Sequence, residues 1–595
     1  MSQHPELAGE QAFLDHAYQC LDAMRDRAVY LKSLGYLGGN IHADVGLTPE
    51  AEKRWDMDRQ RRVDALTDTG AALCFGRIDR RTGERFYVGR RHVEDGDGEP
   101  VVTDWRAPSA VPFYRATVVD PMALRQRRRF LIDHRKLADI FDEDFENPSA
   151  NATVATYVPD PLLAEIERAR TGEMRDIVAT IQAEQDVIIR APLEQCIVVQ
   201  GGPGTGKTAV GLHRAAYLLY SHRDLFERER LLIVGPNKIF FRYISQVLPS
   251  LGETAGVQLT VEGLAGVRFP VRSVDEPETA RVKGDSRMAT VIGNAVMDRV
   301  RPPADDVRVT TKYGDVVLAA DDIAGLVKNV AAAGRPMTEA RSIARGRLVE
   351  LAWTTYLARR TADLSLWAEF ADAVRASQTF KAAVDRMWPT VSAAQVIRQL
   401  YGNRPLLKRA AAAILTDDER GRLARKPSRR LADEQWTIAD LALLDEAEAL
   451  INGSPRRYGH IVVDEAQDLS AMELRMIGRR ARRQSMTVLG DLAQATAPAG
   501  RSSWADASDH LGAPIHQTEL TVGYRVPGSI LEFANRLLPE AAPGVRAPTS
   551  ARTGGIPPRL LAVSVPRRSA AIAEEVEELT HTWNTLAVVA PPSLL

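Results

Sequence analysis

Apolar residues at Leu14, Ala17, Leu21, Met24, Ala28 and Leu31 alternate spacings of three and four. This pattern predicts a helix whose seam packs on one partner helix. A second helical run, from about Glu50 to Leu66, carries Trp55, Val63 and Leu66, and Gly35-Tyr-Leu-Gly-Gly-Asn40 breaks the helix between them. Residues 6–68 are therefore expected to form an antiparallel helical hairpin with its tip near Gly35–Thr48. The pattern then changes. Leu73-Cys-Phe-Gly-Arg-Ile-Asp79, Arg85-Phe-Tyr-Val-Gly89 and Pro112-Phe-Tyr-Arg-Ala-Thr-Val-Val119 read as strands separated by turn-rich segments such as Glu94-Asp-Gly-Asp-Gly98. They predict a small β-rich domain with an acidic loop at Asp142-Glu-Asp-Phe-Glu146, and a helix over roughly Leu162–Arg190 follows.

Continuous apolar runs at Cys196–Gln200, Leu231–Val234, His460–Val463 and Met486–Leu489 have the character of strands buried on both faces of a parallel sheet. Lys207 and Asp464 are 257 residues apart, too many for one compact sheet domain, so residues 266–445 are expected to be an insertion. Its pattern predicts a β-hairpin over Val307–Leu318, turning at Tyr313-Gly-Asp315, and amphipathic helices that include Ile343–Ala358, Trp367–Val374 and Ile438–Leu450. Beyond Arg525 come a helix to Leu538, a strand at Arg559–Ser564, a helix at Ala570–His581 and a strand at Thr585–Val589. The fold class expected is thus α/β and multidomain. The parts are a hairpin (1–70), a β-rich domain (71–160), a P-loop domain in two pieces (161–265 and 446–510) around the insertion, and an incomplete second lobe (511–595).

Composition narrows the picture. A hydrophobic content of 45%, a charged content of 26% and a net charge of −1 exclude a disordered chain and a wholesale basic one. Residues 1–70 hold 12 Asp/Glu against 8 Lys/Arg, so that arm would be repelled by a phosphate backbone. Cys20, Cys74 and Cys196 are far apart, with no CxxC or Cys/His cluster, which argues against disulfides and a zinc site. No apolar run approaches a membrane span, and the N-terminus has no basic-then-apolar signal, so a cytoplasmic, non-membrane protein is expected.

The candidate chemistry is phosphoryl transfer. Gly201-Gly-Pro-Gly-Thr-Gly-Lys207-Thr208 lies between a buried strand and a helix-like run, the setting that the GxxxxGK[ST] pattern needs. Its glycines let the backbone of Gly202, Pro203, Gly204, Thr205 and Gly206 wrap phosphate oxygens, with N–H groups and a helix N-terminus facing the negative charge. Lys207 would reach the β- and γ-phosphates and the Thr208 hydroxyl would ligate Mg²⁺. Asp464, at the end of a Val-rich strand, is the second candidate for Mg²⁺, and Glu465 is the candidate base for the attacking water. Gln494 is placed to sense the γ-phosphate or its water. Gln185, 22 residues before Lys207, can hydrogen-bond both adenine edges, with Gln182 as its rival.

Gln185, the P-loop, Val463-Asp-Glu-Ala-Gln-Asp-Leu469, Leu489-Gly-Asp-Leu-Ala-Gln494 and Val522-Gly-Tyr524-Arg525-Val occur in the order and spacing of superfamily 1 helicases of the UvrD/Rep type. That resemblance implies Tyr524 stacking on adenine and Arg525 as an arginine finger, at a cleft between two RecA-like domains. Asp104-Trp-Arg-Ala-Pro108, Val234-Gly-Pro-Asn237, Tyr243-Ile-Ser-Gln-Val-Leu-Pro249 and Trp436-Thr-Ile-Ala-Asp-Leu-Ala-Leu-Leu-Asp-Glu446 resemble HelD, the RNA polymerase-associated ATPase family of actinobacterial kind. The resemblance implies a monomer that uses ATP, or GTP, with Mg²⁺. Its hairpin would enter the secondary channel of core RNA polymerase, while its insertion would open the clamp and release nucleic acid. The alternative is a helicase or translocase on single-stranded DNA in repair or recombination, against which stand the acidic arm and an aromatic content of only 6%. Such families continue through a complete second lobe with a further arginine at the cleft. The chain is therefore expected to be cut short, to bind nucleotide weakly and to hydrolyse it slowly.

Overall fold

The computed structural model of the chain describes residues 4–37, 60, 63, 66, 72–133, 135–147, 178–245, 247–251, 253, 256–265, 269–359, 364–552, 554–583 and 585–590. Helix α1 (Leu7–Leu37) buries Leu14, Ala17, Tyr18 and Leu21 against Cys74, Val93, Val102, Phe130, Leu137 and Ile140. Its seam therefore meets a sheet, and Leu66, from the run expected to return beside it, packs against the same cluster. A three-and-four spacing marks an apolar face but carries no information about what covers it. Farther along, Leu31 is 50% exposed, and Lys32 Nζ donates to Gln60 Oε1, so a returning segment passes beside α1 at that level. The hairpin tip beyond Leu37 and most of the predicted second helix lie outside the described residues.

The sheet under α1 is built from β1 (Cys74–Arg80), β2 (Arg85–Gly89), β3 (Val93–Glu94), β4 (Pro100–Asp104), β5 (Leu124–Asp133) and β6 (Lys136–Asp144), in the order β3-β4-β2-β1-β5-β6. Two expectations are corrected here. Residues 112–119 are not a strand: Val111–Arg115 is a short helix, α2, with Pro112 at its start, where the missing N–H costs nothing that a ladder would have needed. Asp142–Glu146 is not a free acidic loop, because β6 runs through Asp144 and the Asp142 carboxylate accepts from Arg128 Nε and Nη2, each at 2.7 Å. Glu10 of α1, 3% exposed, sits between Arg77 and Arg128 and accepts from Arg128 Nη1 at 2.6 Å. The acidic helix is thus clamped to the sheet by buried, hydrogen-bonded charge, the only arrangement in which such charges are tolerated inside.

Of the helix expected over 162–190, the described part is a 3₁₀ turn at Val178–Thr180 and α3 (Ala183–Ile189). Strand β7 (Cys196–Gly201), helix α4 (Lys207–Ser221), β8 (Leu231–Gly235) and β9 (Gly256–Thr260) then begin a second sheet. The inserted segment follows. Its elements include α5 (Pro277–Gly284), the hairpin β10 (Val307–Thr311) and β11 (Gly314–Leu318), α6 (Met337–Arg359), α7 (Trp367–Ala376), α8 (Ala393–Gly402), α9 (Arg404–Ala410) and α10 (Ile438–Asn452). They enclose a core of their own that includes Phe370, Phe380, Trp388, Leu400 and Leu444. The hairpin turns at Lys312-Tyr313, one step earlier than expected, and α10 runs past the boundary expected at 445.

The second sheet is completed by β12 (His460–Val463), β13 (Met486–Gly490) and β14 (Ile515–Leu520), with helix α11 (Ala471–Gly478) between the first two. Its order is β14-β7-β13-β12-β8-β9, and every pairing is parallel. The four inner strands are buried at every position, which is why they read as apolar runs. The two edge strands, Gly256–Thr260 and Ile515–Leu520, are half polar and escaped the sequence reading. Because β14 pairs with β7 along its whole length, the start of the second lobe moves from 511 to beyond Leu520.

After β14 come β15 (Val522–Gly523), helix α12 (Gly528–Asn535), β16 (Thr549–Ser550), which pairs with β15, and helix α13 (Arg568–Thr580). The strands expected at 559–564 and 585–589 are not strands. Leu560 is 78% and Val589 97% exposed, and without a neighbour to bond an apolar stretch has no ladder to join.

Candidate functional site

The site forms where β7 passes into α4. Gly204 (φ 74°) and Gly206 (φ 86°) both take left-handed backbone, the second as N-cap of α4, so the loop needs residues without a Cβ at these points. Thr205, fully buried, closes the loop by donating from Oγ1 to Gly202 O at 3.0 Å. Lys207 is 9% exposed and its ammonium folds back onto the loop, donating to Gly201 O at 2.7 Å and Gly202 O at 3.2 Å. The cation therefore stands within the ring of loop amides.

Thr208 Oγ1 donates to Asp464 Oδ2 at 2.6 Å, joining the start of α4 to the end of β12 across the intervening β13. Asp464 is 5% exposed. Burial pushes its carboxyl up to about 6, the Thr208 hydrogen bond working against that rise and the nearby Glu465 charge adding to it. Glu465 lies in the left-handed region at φ 53°, a conformation that costs a non-glycine residue on the order of 1–2 kcal/mol and turns its carboxylate out of the strand line. Gln467 holds that carboxylate, donating from Nε2 to Glu465 Oε2 at 2.8 Å while its Oε1 accepts from the Asp491 amide at 3.0 Å.

Asp491, 1% exposed, links three further groups. Its Oδ2 accepts from Gln494 Nε2 at 2.6 Å and its Oδ1 from Gln200 Nε2 at 3.0 Å, and Gln200 Oε1 in turn accepts from Trp504 Nε1 at 3.0 Å. Gln494 is thereby tied to the sheet that carries the loop. The sequence reading named Gln494 and Glu465 but neither Gln467 nor Asp491, which tie the two segments together. Both stand inside the quoted runs, two residues after Glu465 and three before Gln494, and only the fold makes them neighbours.

Gln185 is 2% exposed, and its amide is engaged with protein. Oε1 accepts from Gln182 N at 3.1 Å, forming the reciprocal cap of α3, and Nε2 donates to Thr205 O at 3.3 Å. It braces the loop between β7 and α4 through Thr205, with its rival Gln182 as the N-cap. On the opposite side, the strand pair β15 and β16 lays Tyr524 and Arg525 over the loop. Tyr524 N donates to Gly204 O at 2.9 Å, and a Cβ on Gly204 would come within 2.5 Å of Arg525 Cβ. Arg525 is exposed, and its carbonyl accepts from Arg552 Nη1 at 3.1 Å. A Cβ on Gly202 would meet Pro548 Cγ at 2.6 Å, so the lobe presses on the loop at two points.

The structure thus brings Lys207, Thr208, Asp464, Glu465 and Gln494 to one end of one parallel sheet and lays Tyr524 and Arg525 over it. The molecule is an α/β multidomain protein, and no helix among the described residues is long and apolar enough to cross a membrane. Residues 7–154 match the family model described as the N-terminal domain of DNA helicase IV HelD. The match covers α1 and the first sheet and leaves the P-loop sheet and the inserted segment outside it. No curated protein matches the chain.

Proposed function

We propose that the chain is a HelD-family motor protein with a RecA-like P-loop core, which binds ATP, with GTP as the alternative, and acts on RNA polymerase to release nucleic acid. The observation that carries the nucleotide reading is the 2.6 Å hydrogen bond between Thr208 and Asp464, made by the residue that directly follows Lys207. A hydroxyl and a carboxylate facing each other are hard oxygen donors of the type Mg²⁺ takes, few in number because that ion keeps waters and binds substrate phosphates. Thr208 and Asp464 would hold it, and when bound it neutralises charge on the β- and γ-oxygens.

The chain's own residues divide the remaining work. The loop from Gly202 to Gly206 presents its amides to the phosphates, and Lys207 exchanges two carbonyl partners for phosphate oxygens. Glu465, oriented by Gln467, takes the proton of the attacking water, and Gln494, oriented by Asp491, reports on the γ-phosphate. Arg525 supplies cationic charge to the transferring phosphoryl, Tyr524 stacks on the base, and Gln185 lies behind the loop on the adenine side.

The polymerase reading rests on the resemblance to HelD, and the match over residues 7–154 supports that likeness. The description of that family as a DNA helicase favours the second reading, translocation on single-stranded DNA. Nucleotide titration of Lys207→Ala tests the site, and affinity indistinguishable from wild type would sink it. For the partner, residues 33–59 are replaced by a short Gly-Ser linker joining Lys32 to Gln60, which leaves the buried part of α1 on its sheet. This variant should recover less core RNA polymerase in co-purification than wild type. Equal recovery would remove the hairpin from the interface.

A further inference from the structure

The inserted segment carries a cationic face that the nucleotide site does not use. From Arg398 to Arg430 the chain has ten Lys or Arg and three Asp or Glu, in a protein whose net charge is −1. The three carboxylates are already taken: Asp417 by Arg420, Asp418 by Arg422 and Glu419 by Arg287. Arg398 pairs with Glu434, Arg425 with Asp440 and Arg409 with Asp298. Arg404, Lys408, Lys426, Arg429 and Arg430 remain, all exposed and with no carboxylate partner among the described residues.

Three contacts bring together the two segments that carry these five residues. The Arg425 amide donates to Tyr401 O at 3.1 Å, the Arg398 guanidinium donates to Ser428 O, and a Cβ on Gly402 would stand 3.0 Å from Pro427 Cγ. The 425–430 segment therefore runs across the end of α8, and α9 starts two residues later at Arg404, with Lys408 on the same face four residues along.

We propose that this face binds the phosphate backbone of a nucleic acid. Uncompensated cations held close together repel one another, and a polyanion with regularly spaced charge relieves that repulsion while releasing counterions. An acidic protein surface is the poorer fit. Protein interfaces are anchored by buried aromatic or aliphatic side chains, and none of the large exposed apolar residues lies between Leu364 and Ile438. Contacts of this kind position a protein on nucleic acid without reading its sequence. The inference is independent of the nucleotide-driven reading.

The test uses the full chain without nucleotide and three fluorescent probes of one sequence: duplex DNA, single-stranded DNA and single-stranded RNA. Anisotropy titrations cover about 50–200 mM KCl. If all five side chains engage, the log–log salt slope they contribute is about −4.5 on a duplex and about −3.5 on a single strand, and the former is on the order of a 500-fold loss across that range. The variant Arg404→Gln, Lys408→Gln, Lys426→Gln, Arg429→Gln, Arg430→Gln should lose most of that slope, and the probe with the largest loss identifies the backbone bound. A control, Arg308→Gln, Arg335→Gln, Arg375→Gln, changes surface arginines paired elsewhere in the insertion and should leave the slope in place. Fluorescent polyglutamate is titrated beside them as a polyanion that is not a nucleic acid, and an unchanged slope in the five-site variant, an equal loss in the control, or a loss confined to polyglutamate would each overturn the proposal. Thermal melts of both variants that match wild type ensure that a lost slope reports on the surface.

Discussion

Replacing Gly204 by alanine tests how tightly the phosphate loop and the Tyr524–Arg525 segment define each other. The residue holds φ 74°, where an L side chain costs on the order of 1–2 kcal/mol. The added Cβ would lie 2.5 Å from Arg525 Cβ and 3.2 Å from Arg525 N, so the atoms in its way are at or beside the backbone and cannot swing aside. Relief requires the segment to lift, which breaks the 2.9 Å bond from Tyr524 N to Gly204 O, worth about 1 kcal/mol. Together the penalties come to about 2–3 kcal/mol. Without nucleotide the loop can relax and avoid part of this cost. When phosphate demands the wrapped backbone the strain returns, and the dissociation constant should rise by roughly 30- to 150-fold. Gly202→Ala is the comparison. Gly202 has no left-handed backbone, and its Cβ would meet only the ring edge of Pro548, so its effect should be several-fold smaller. Fluorescent nucleotide titration with thermal melts of both variants measures this. A Gly204→Ala constant within threefold of wild type, or a Gly202→Ala loss as large, would refute the reasoning.

Three further outcomes are expected. Glu465→Gln should retain nucleotide affinity while phosphate release falls by about 10²–10⁴, the usual worth of a positioned general base; equal turnover would remove Glu465 from that role. Gln467→Leu leaves the Glu465 carboxylate and the Asp491 amide without their shared partner, so turnover should fall with little change in affinity, and Gln467→Glu, which can still accept from Asp491 but not donate to Glu465, should not rescue it. His460 is fully buried between Ser485 Oγ and Thr487 Oγ1, and burial holds its imidazole well below the usual 6.5. The unfolded chain therefore takes up the proton first. This group costs nothing above pH 6.5 and about 1.4 kcal/mol per pH unit below it, down to the depressed folded value. Urea denaturation of wild type and His460→Gln at pH 7.5 and 5.0 should show the gap between them shift by about 2 kcal/mol in favour of the variant at the lower pH; parallel losses would contradict the assignment.

Some parts of this molecule were legible because their determinants are local. A buried parallel strand must be apolar at nearly every position, so β7, β8, β12 and β13 announced themselves, and a loop that wraps phosphate must have glycine where φ is positive, which Gly204 and Gly206 satisfy. Other features had no local signature. The edge strands β9 and β14 are half polar, so only their pairing identifies them, and Pro112–Val119 has strand-like composition but starts a helix at its proline. The apolar face of α1 was legible, but its packing on a sheet was decided by residues far along the chain. The acidic run at Asp142 lies in a strand because β5 pairs with it and Arg128 of β5 holds the Asp142 carboxylate. The same holds at the site. Lys207, Asp464 and Glu465 carry chemistry in their own residue types, whereas Gln467, Asp491 and Gln200 are ordinary polar residues until the parallel sheet sets β7, β13 and β12 side by side. A side chain's chemistry is encoded where it stands in the chain, but its partners are decided by which distant backbones the sheet hydrogen-bonds together.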